Sequence, residues 1–238
     1  NLIDLLLNDN KSPNNKLAHF HKKICDYGII ASLTQLILKF TCPGVPDLYQ
    51  GTEVWDLSMV DPDNRSAVDF SLREQLLNNL LKNEPGNEDL KQLWENRYDG
   101  QIKLWLTTKL LNIIAGETDT FSQGLYVPLK VEGMYKDNII AYLRQYQESI
   151  YLIILPLHIA ELAEKQEVTV TEINWHNTSI ILPEHLRRKW QNLFTKDTTD
   201  TTTNLNVQDV FQHLPFAILQ MKPIRKKRSS GVLLSITS

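Results

Sequence analysis

Between Gly116 and Gly124 the pattern of apolar residues changes from a helical period to a strand-like one, and that change limits what the chain can fold into. Ahead of it, apolar residues recur at intervals of three and four. Across residues 16–40 the series Leu17, Phe20, Ile24, Tyr27, Ile30, Leu33, Ile37 and Phe40 keeps the helical period, which predicts one long helix. "KSPNN" at 11–15 supplies its start signal and Cys42-Pro43-Gly44 its stop, with Gly28 marking a break or a close contact inside it. Residues 45–49 are short and apolar between Pro43-Gly44 and Gly51, the pattern of a buried strand. Residues 71–82 read as a helix with Ser71 as N-cap and Glu74 completing a capping box. After the turn "NEPGNED", helices are expected over 88–96 and 101–114, the second with Ile102, Trp105, Leu106, Lys109, Leu110 and Ile113 on one face.

Past the change, "LYVPLKVEG", "NIIAYLRQY", "SIYLIILPL", "EVTVTEI" and "TSIILPEHL" are short, rich in β-branched and aromatic residues, and parted by polar turns. That spacing predicts an antiparallel sheet or sandwich. "KDTTDTTTNLN" at 196–206 reads as a mobile polar loop, and 207–221 as a helical turn followed by a closing strand over 216–221. The expected organisation is therefore α+β: a helical part over 1–116, a β domain over 117–223 and a tail over 224–238. "NLIDLLLNDN" has neither an initiator methionine nor a signal-peptide pattern, and reads as a stretch taken from something longer.

The formal net charge of −3 offers no basic excess, so neither nucleic acid nor an acidic membrane surface is expected as the main partner. "KPIRKKR" at 222–228 stands alone without interleaved aromatics and reads as a solvated tail. No apolar run approaches the length of a membrane span. Cys25 and Cys42 lack metal-ligand spacing and read as reduced core thiols, which suits a cytoplasmic protein. His19 and His21, two apart, fall on different helix faces, so no metal site is expected.

Residues 50–70 follow the expected strand and are long for such a connection, which points to function or disorder; Trp55, Leu57, Met59 and Val60 argue against disorder. In an α/β barrel, loops of this position carry the active site. The polar content suits a sugar: carboxylates accept from vicinal hydroxyls, amides give and accept, arginine offers a planar set of donors, and Tyr49 or Trp55 offers an apolar face. A glycoside-cleaving carboxylate pair is to be sought among Glu53, Asp56, Asp61, Asp63 and Asp69. The competing reading makes Asp61, Asp63 and Asn64 turn-formers beside Pro62, tied together by Arg65. No phosphate-cradling glycine pattern and no Ser-His-Asp motif occurs.

"PGVPDLYQGTE" resembles the eighth-strand segment of the α-amylase superfamily, and "WDLSMVDPDNRSAVDF" resembles the form seen in the maltooligosyl trehalose synthases, or (1→4)-α-D-glucan 1-α-D-glucosylmutases. "ASLTQLILKFTCPGVPD", "KLWLTTKLL", "GLYVPLKVEG" and "HLPFAILQ" are similar to the same family's C-terminal region in the same order, so the resemblance covers most of 17–221. It implies the last helices and strand eight of a catalytic (β/α)8 barrel followed by a C-terminal β domain. It implies an isomerase that turns the reducing-end α-1,4 linkage of a maltooligosaccharide into an α,α-1,1 linkage by retaining double displacement, with no cofactor. The family's nucleophile, acid/base and stabilising aspartate lie ahead of this segment, so the resemblance implies no catalytic residue here, an inactive fragment, and the N-terminal remainder of the same polypeptide as partner. By position, Tyr49, Gln50, Glu53, Asp61, Asp63, Asn64 and Arg65 become either saccharide-wall residues or support for the loop, with Glu53 paired to a barrel residue outside the chain and Arg65 and Asp61 holding the loop shape. "RSAVDF" departs from the family's basic residue and proline after Arg65.

Two other readings stay open. One is a carbohydrate-binding or scaffold module using Trp94, Trp105, Trp175 or Trp190 as sugar platforms, against which stands a core or packing role for each. The other is part of an α-glucan hydrolase of the same superfamily. A partial barrel also leaves strand eight and its helices uncovered, which predicts self-association or a rearranged N-terminal half.

Overall fold

A computed structural model describes residues 16–60, 65–82, 85–201 and 204–221. The 11–15 start signal, the 222–228 basic run, and Asp61, Asp63 and Asn64 lie outside the described residues. The first helix, α1 (Lys16–Thr41), runs where the apolar period places it. It passes straight through Gly28, where a Cβ would meet nothing within 4 Å, so the glycine is neither a break nor a close contact. Its second half carries the burial: Ile30, Leu33, Ile37 and Phe40 are at most 3% exposed, while Leu17, Phe20 and Ile24 are about half exposed. Although no unbroken apolar run is present, residues 17–41 are long and apolar enough to cross a bilayer by length and composition alone; 44% of an apolar 18-residue part of that stretch is buried in the protein's own packing.

Residues 45–49 form no strand. Val45 is 96% exposed and Tyr49 49%, because no described strand lies beside them to take up their backbone groups. The next helix, α2 (Phe70–Lys82), begins one residue ahead of the expected cap. Asp69 Oδ1 accepts from Leu72 N–H at 2.9 Å, so Asp69 rather than Ser71 caps it. Among its described side chains none is buried. Helix α3 (Asn87–Glu95), a 3₁₀ turn over Arg97–Asp99, and α4 (Gln101–Gly116) follow, and α4 buries Ile102, Trp105, Leu106 and Leu110. A short helix, α5 (Thr118–Ser122), delivers the chain to the first strand.

The strands are β1 (Leu125–Pro128), β2 (Val131–Glu132), β3 (Ile139–Tyr146), β4 (Ser149–Pro156), β5 (Ser179–Ile180), β6 (Lys189–Asn192), β7 (Thr198–Asp200), β8 (Leu205–Asn206) and β9 (Ala217–Met221). They form a six-stranded sheet in the order β1-β3-β4-β9-β6-β7 and a three-stranded one in the order β2-β5-β8, antiparallel throughout. The fold is thus α+β with antiparallel sheets. Central β4, between β3 and β9, is buried on both faces from Ile150 to Leu155 as part of one hydrophobic core shared with α1 and α4.

Two expectations about strands change. "EVTVTEI" is not a strand: helix α6 (Ile159–Gln166) ends in left-handed Glu167, and residues 168–173 turn. The hydroxyl of Thr169 donates to Glu172 Oε2 at 2.8 Å, so side chains supply locally the bonds a ladder would have given. Conversely, part of the polar 196–206 stretch is strand β7, paired to β6 through Trp190 and Thr199. The closing β9 and the helical turn ahead of it, α7 (Val207–Val210), fall where the sequence places them.

Candidate functional site

The acidic segment between α1 and α2 is built outward from a fully buried arginine. Arg144 on β3 is 0% exposed. Its Nη1 donates to Thr41 O at 2.9 Å, and Nη2 to the carbonyls of Thr120, Phe121 and Gly124 at 3.2, 2.8 and 3.0 Å. A guanidinium therefore sits against the carbonyl end of α1, where the helix dipole is negative. Burial lowers the Arg144 pKa, but guanidinium remains charged at any ordinary pH. Tyr142, on the same strand, meets the Thr41 hydroxyl through its own and lies 3.8 Å from Cys42 Sγ, and burial pushes its phenol well up. The start of the segment is thus fixed from the sheet side.

From there the backbone is held by cations from its neighbours. Lys39 Nζ donates to Asp47 O at 2.8 Å, and both the amide and the hydroxyl of Thr52 bond Tyr49 O. At Gly51 φ is +92°, and a Cβ would stand 3.1 Å from Val68 Cγ2, so glycine permits both the turn and the approach of the returning chain. Arg73 closes that approach. Its Nε donates to Glu53 Oε2 at 3.0 Å, Nη2 to Gly51 O at 2.7 Å and Nη1 to Asp69 O at 3.0 Å. One side chain at the start of α2 therefore binds both ends of the 51–69 segment.

The middle is pinned to the corner between α3 and α4. Lys103 Nζ donates to Val54 O at 3.1 Å and lies 5.4 Å from the Trp55 ring centroid. Burial, and Lys39 nearby, lower the Lys103 pKa. Trp55 Nε1 donates to Arg97 O at 2.7 Å. At Gly100 φ is +83°, and a Cβ would come within 2.9 Å of Val54 Cβ, so no larger residue fits beneath the loop. The corner is itself tied to α1, since Arg97 Nη2 lies 2.6 Å from Asp26 Oδ1 and Tyr98 donates to the same oxygen at 2.6 Å. Burial and the Asp26 carboxylate push the Tyr98 phenol up to about 12.

The site residues named from sequence separate accordingly. Tyr49 and Gln50 are exposed at the first turn, and Arg65 is exposed at the start of the returning limb. Glu53 is bound within the chain, its Oε2 accepting from Arg73 Nε at 3.0 Å. Asp56 accepts the backbone N–H of Ser58 at 3.0 Å and the Ser58 hydroxyl, which hold its carboxyl below the usual range. Asp69 caps α2. Each described carboxylate proposed for a catalytic pair thus has a local structural partner. Among the described residues no group of three His, Cys, Asp or Glu side chains could hold a metal ion.

Trp94, Trp105, Trp175 and Trp190 are at most 6% exposed, so none is a sugar platform. Cys25 and Cys42 are free thiols, half-buried rather than in the core. The residues missed from sequence are the cations Lys39, Arg73, Lys103 and Arg144. Arg73 lies four positions after the capping Asp69, and Lys103 stands between Ile102 and Leu104; both signals are visible but not specific.

No protein-family model matches the chain. A Mycobacterium tuberculosis protein assigned as a maltooligosyl trehalose synthase is 27% identical over 188 residues, which are 79% of this chain and 20% of the relative. The chain therefore spans about a fifth of the length of the curated relatives it matches. The maltooligosyltrehalose synthase of Arthrobacter ramosus shares its fold, with a TM-score of 0.67 at 24% identity over 89% of this chain and 25% of that one. A second solved maltooligosyl trehalose synthase gives a TM-score of 0.61 at 26% identity, covering 89% of this chain and 24% of that one. In sequence and in fold the chain is similar to part of these enzymes.

Proposed function

We propose that this chain is the C-terminal segment of an intramolecular glucosyl transferase that converts the reducing-end α-1,4 linkage of a maltooligosaccharide to an α,α-1,1 linkage. The observation that carries the reading is the 188-residue similarity to a maltooligosyl trehalose synthase, running through the acidic loop and into the β sheet. In this reading residues 1–116 complete a (β/α)8 barrel and 117–223 form its C-terminal β domain. The distribution of exposed apolar side chains supports it. Leu17, Phe20, Ile24, Val45, Leu57, Met59, Val60, Phe70, Leu72 and Leu81 are each at least 48% exposed and precede the sheet, whereas from the first strand onward only Leu125 and Met134 among the described large apolar residues are as exposed. A barrel supplied by the preceding polypeptide would cover the first group.

The reaction is a double displacement. A carboxylate outside this chain attacks C1 of the penultimate glucose, breaking its bond to O4 of the terminal glucose and forming a glycosyl ester, while an acid protonates the leaving oxygen. The released glucose then attacks through its anomeric hydroxyl, which loses its proton to the same residue as the carboxylate departs. The chain's part is the wall: Tyr49, Gln50 and Arg65, with Asp61, Asp63 and Asn64 of the same loop, bind and turn that glucose. An α-glucan hydrolase would use the same wall but release free sugar.

The test is loss of reducing ends from maltohexaose, measured for this chain alone and for the chain mixed with the preceding part of the polypeptide. Activity of the mixture alone, with a non-reducing product, is expected. Activity of the chain alone would place the carboxylates in the 50–69 loop and overturn the assignment. Reducing sugars only, free glucose beside a shortened maltooligosaccharide with no non-reducing product, would identify the hydrolase.

A further inference from the structure

We propose that the cavity between helix α3, residues 170–175 and residues 208–215 is a binding site for a small carboxylate with an apolar body. The cavity measures about 350 Å³, inside the ~300–1,000 Å³ range of small-molecule sites. Its described lining includes no residue of the acidic loop, so the site stands apart from the function proposed above. The inner wall is apolar, since Val170, Ile173 and Leu214 are at most 5% exposed. The rim is polar and exposed, with Lys91, Glu95, Gln208, Gln212 and His213. An apolar wall beneath a polar rim suits a ligand with one end of each kind.

The polar end is selected by two observations. Trp94 lines the cavity and is 6% exposed, and its Nε1–H has no acceptor among the described residues. A buried donor without an acceptor is destabilising, and a ligand oxygen would relieve it. The indole is held in place, because Arg97 Nη1 donates to Trp94 O at 3.0 Å while the guanidinium lies 5.4 Å from the ring centroid. Nε1 is itself covered from solvent, so binding requires a rim side chain to move; that of Gln212 is exposed and bonds no other described residue. The second observation is an excess of donors. Gln208 spends its Oε1 on Trp175 N–H at 2.9 Å, which leaves its amide donors. Lys91 lies no nearer than 4.0 Å to Glu88, and both side chains are exposed. Glu95 is the one carboxylate among the described lining residues. Arg97 is answered by Asp26 at 2.6 Å, so Lys91 offsets Glu95 and the indole and amide donors remain. A carboxylate supplies two acceptor oxygens and no donor, the complement of that set, and bonds to it are stronger than bonds to a neutral oxygen.

The experiment uses the full-length protein that carries this chain, with ¹⁵N in the tryptophan indoles and Trp94→Phe to identify the Trp94 resonance. Hexanoate is titrated beside acetate, which lacks the apolar body, and hexanol, which lacks the carboxylate. Hexanoate is expected to shift the Trp94 indole N–H saturably to low field, with acetate and hexanol far weaker. Calorimetry should show hexanoate binding weakened about tenfold in Trp94→Phe, which keeps an aromatic ring but loses the donor. Gln208→Glu keeps the acceptor for Trp175 N–H and adds a like charge, so it should weaken binding about tenfold or more, and it carries the test if Trp94→Phe does not fold. A Trp94 resonance that hexanoate leaves in place overturns the site. Equal binding of hexanol overturns the carboxylate, and equal binding of acetate overturns the apolar body. Undiminished binding in Gln208→Glu places hexanoate elsewhere and overturns the proposal.

Discussion

Replacing Arg144 by methionine tests how the sheet fixes the start of the site loop. The side chain is fully buried and makes four bonds to carbonyls of three separate segments, at Thr41, at Thr120 and Phe121, and at Gly124. Hydrogen bonds from a charged donor contribute about 1.5 kcal/mol each at the low end of their range. Against them stands the desolvation of the guanidinium and its partnerless Nε, a penalty on the order of 2 kcal/mol. Methionine fills much of the volume but leaves the carbonyls without donors. The net loss is therefore about 4 kcal/mol, a large share of the total of about 5–15 kcal/mol typical of a domain. In urea, with a slope of about 2–3 kcal/mol per molar, the midpoint should fall by about 1.5 M. Arg144→Lys should fall between, since one ammonium cannot reach all three segments. A loss below about 1 kcal/mol for Arg144→Met would refute the reasoning, because the carbonyls would then have found water or other donors at little cost.

Gly100→Ala should destabilise by about 2–3 kcal/mol, since alanine at φ +83° is strained and its Cβ would press on Val54; thermal melts of the two proteins check this. Native Tyr98 holds its proton to about pH 12, whereas an unfolded tyrosine loses it near pH 10. The folded state then binds more protons, so this contribution to stability is intact below pH 10 and is lost as pH rises toward 12. Tyr98→Phe should flatten the fall in urea midpoint between those values. Because Trp94, Trp105, Trp175 and Trp190 are buried, maltohexaose should leave the fluorescence of a Trp55→Phe variant unshifted; a shift would return one of the four to the surface.

What the sequence revealed depended on whether the signal was local. Helix α1 was legible because one period ran unbroken for seven turns, and β3, β4 and β9 because their apolar runs were bounded by turn residues. Residues 45–49 carry the same apolar signature as β9, yet only β9 has a described neighbour, β4, to accept its backbone bonds. Pairing is non-local, so composition alone cannot separate the two. The reverse error occurred at β6 and β7, where "KWQN" and "TTD" look polar although Trp190 is fully buried. In the site loop the acids and the glycine turn were visible, because Asp, Asn and Gly act on their own backbone. The partners were not: Lys103 lies 49 positions after Val54, and Arg144 lies 103 after Thr41.

Those partners share a feature that bears on what the loop can do. Arg144, Lys39, Lys103 and Arg73 all reach the segment through its carbonyl oxygens, at Thr41, Asp47, Val54, Gly51 and Asp69. An irregular segment has no ladder to satisfy those groups, and each left buried without a donor would cost about 1–3 kcal/mol. Satisfying them from outside means that the path of the loop's described limbs is set by α1, α2, α4 and β3. Tyr49 and Gln50 are then not required to hold the fold beneath them. A saccharide wall needs side chains that can give and accept bonds without deforming their own backbone when the ligand leaves. Cations on carbonyls provide that separation, whereas a loop stabilised by its own acids and arginine would exchange shape for binding each time a sugar displaced one of them.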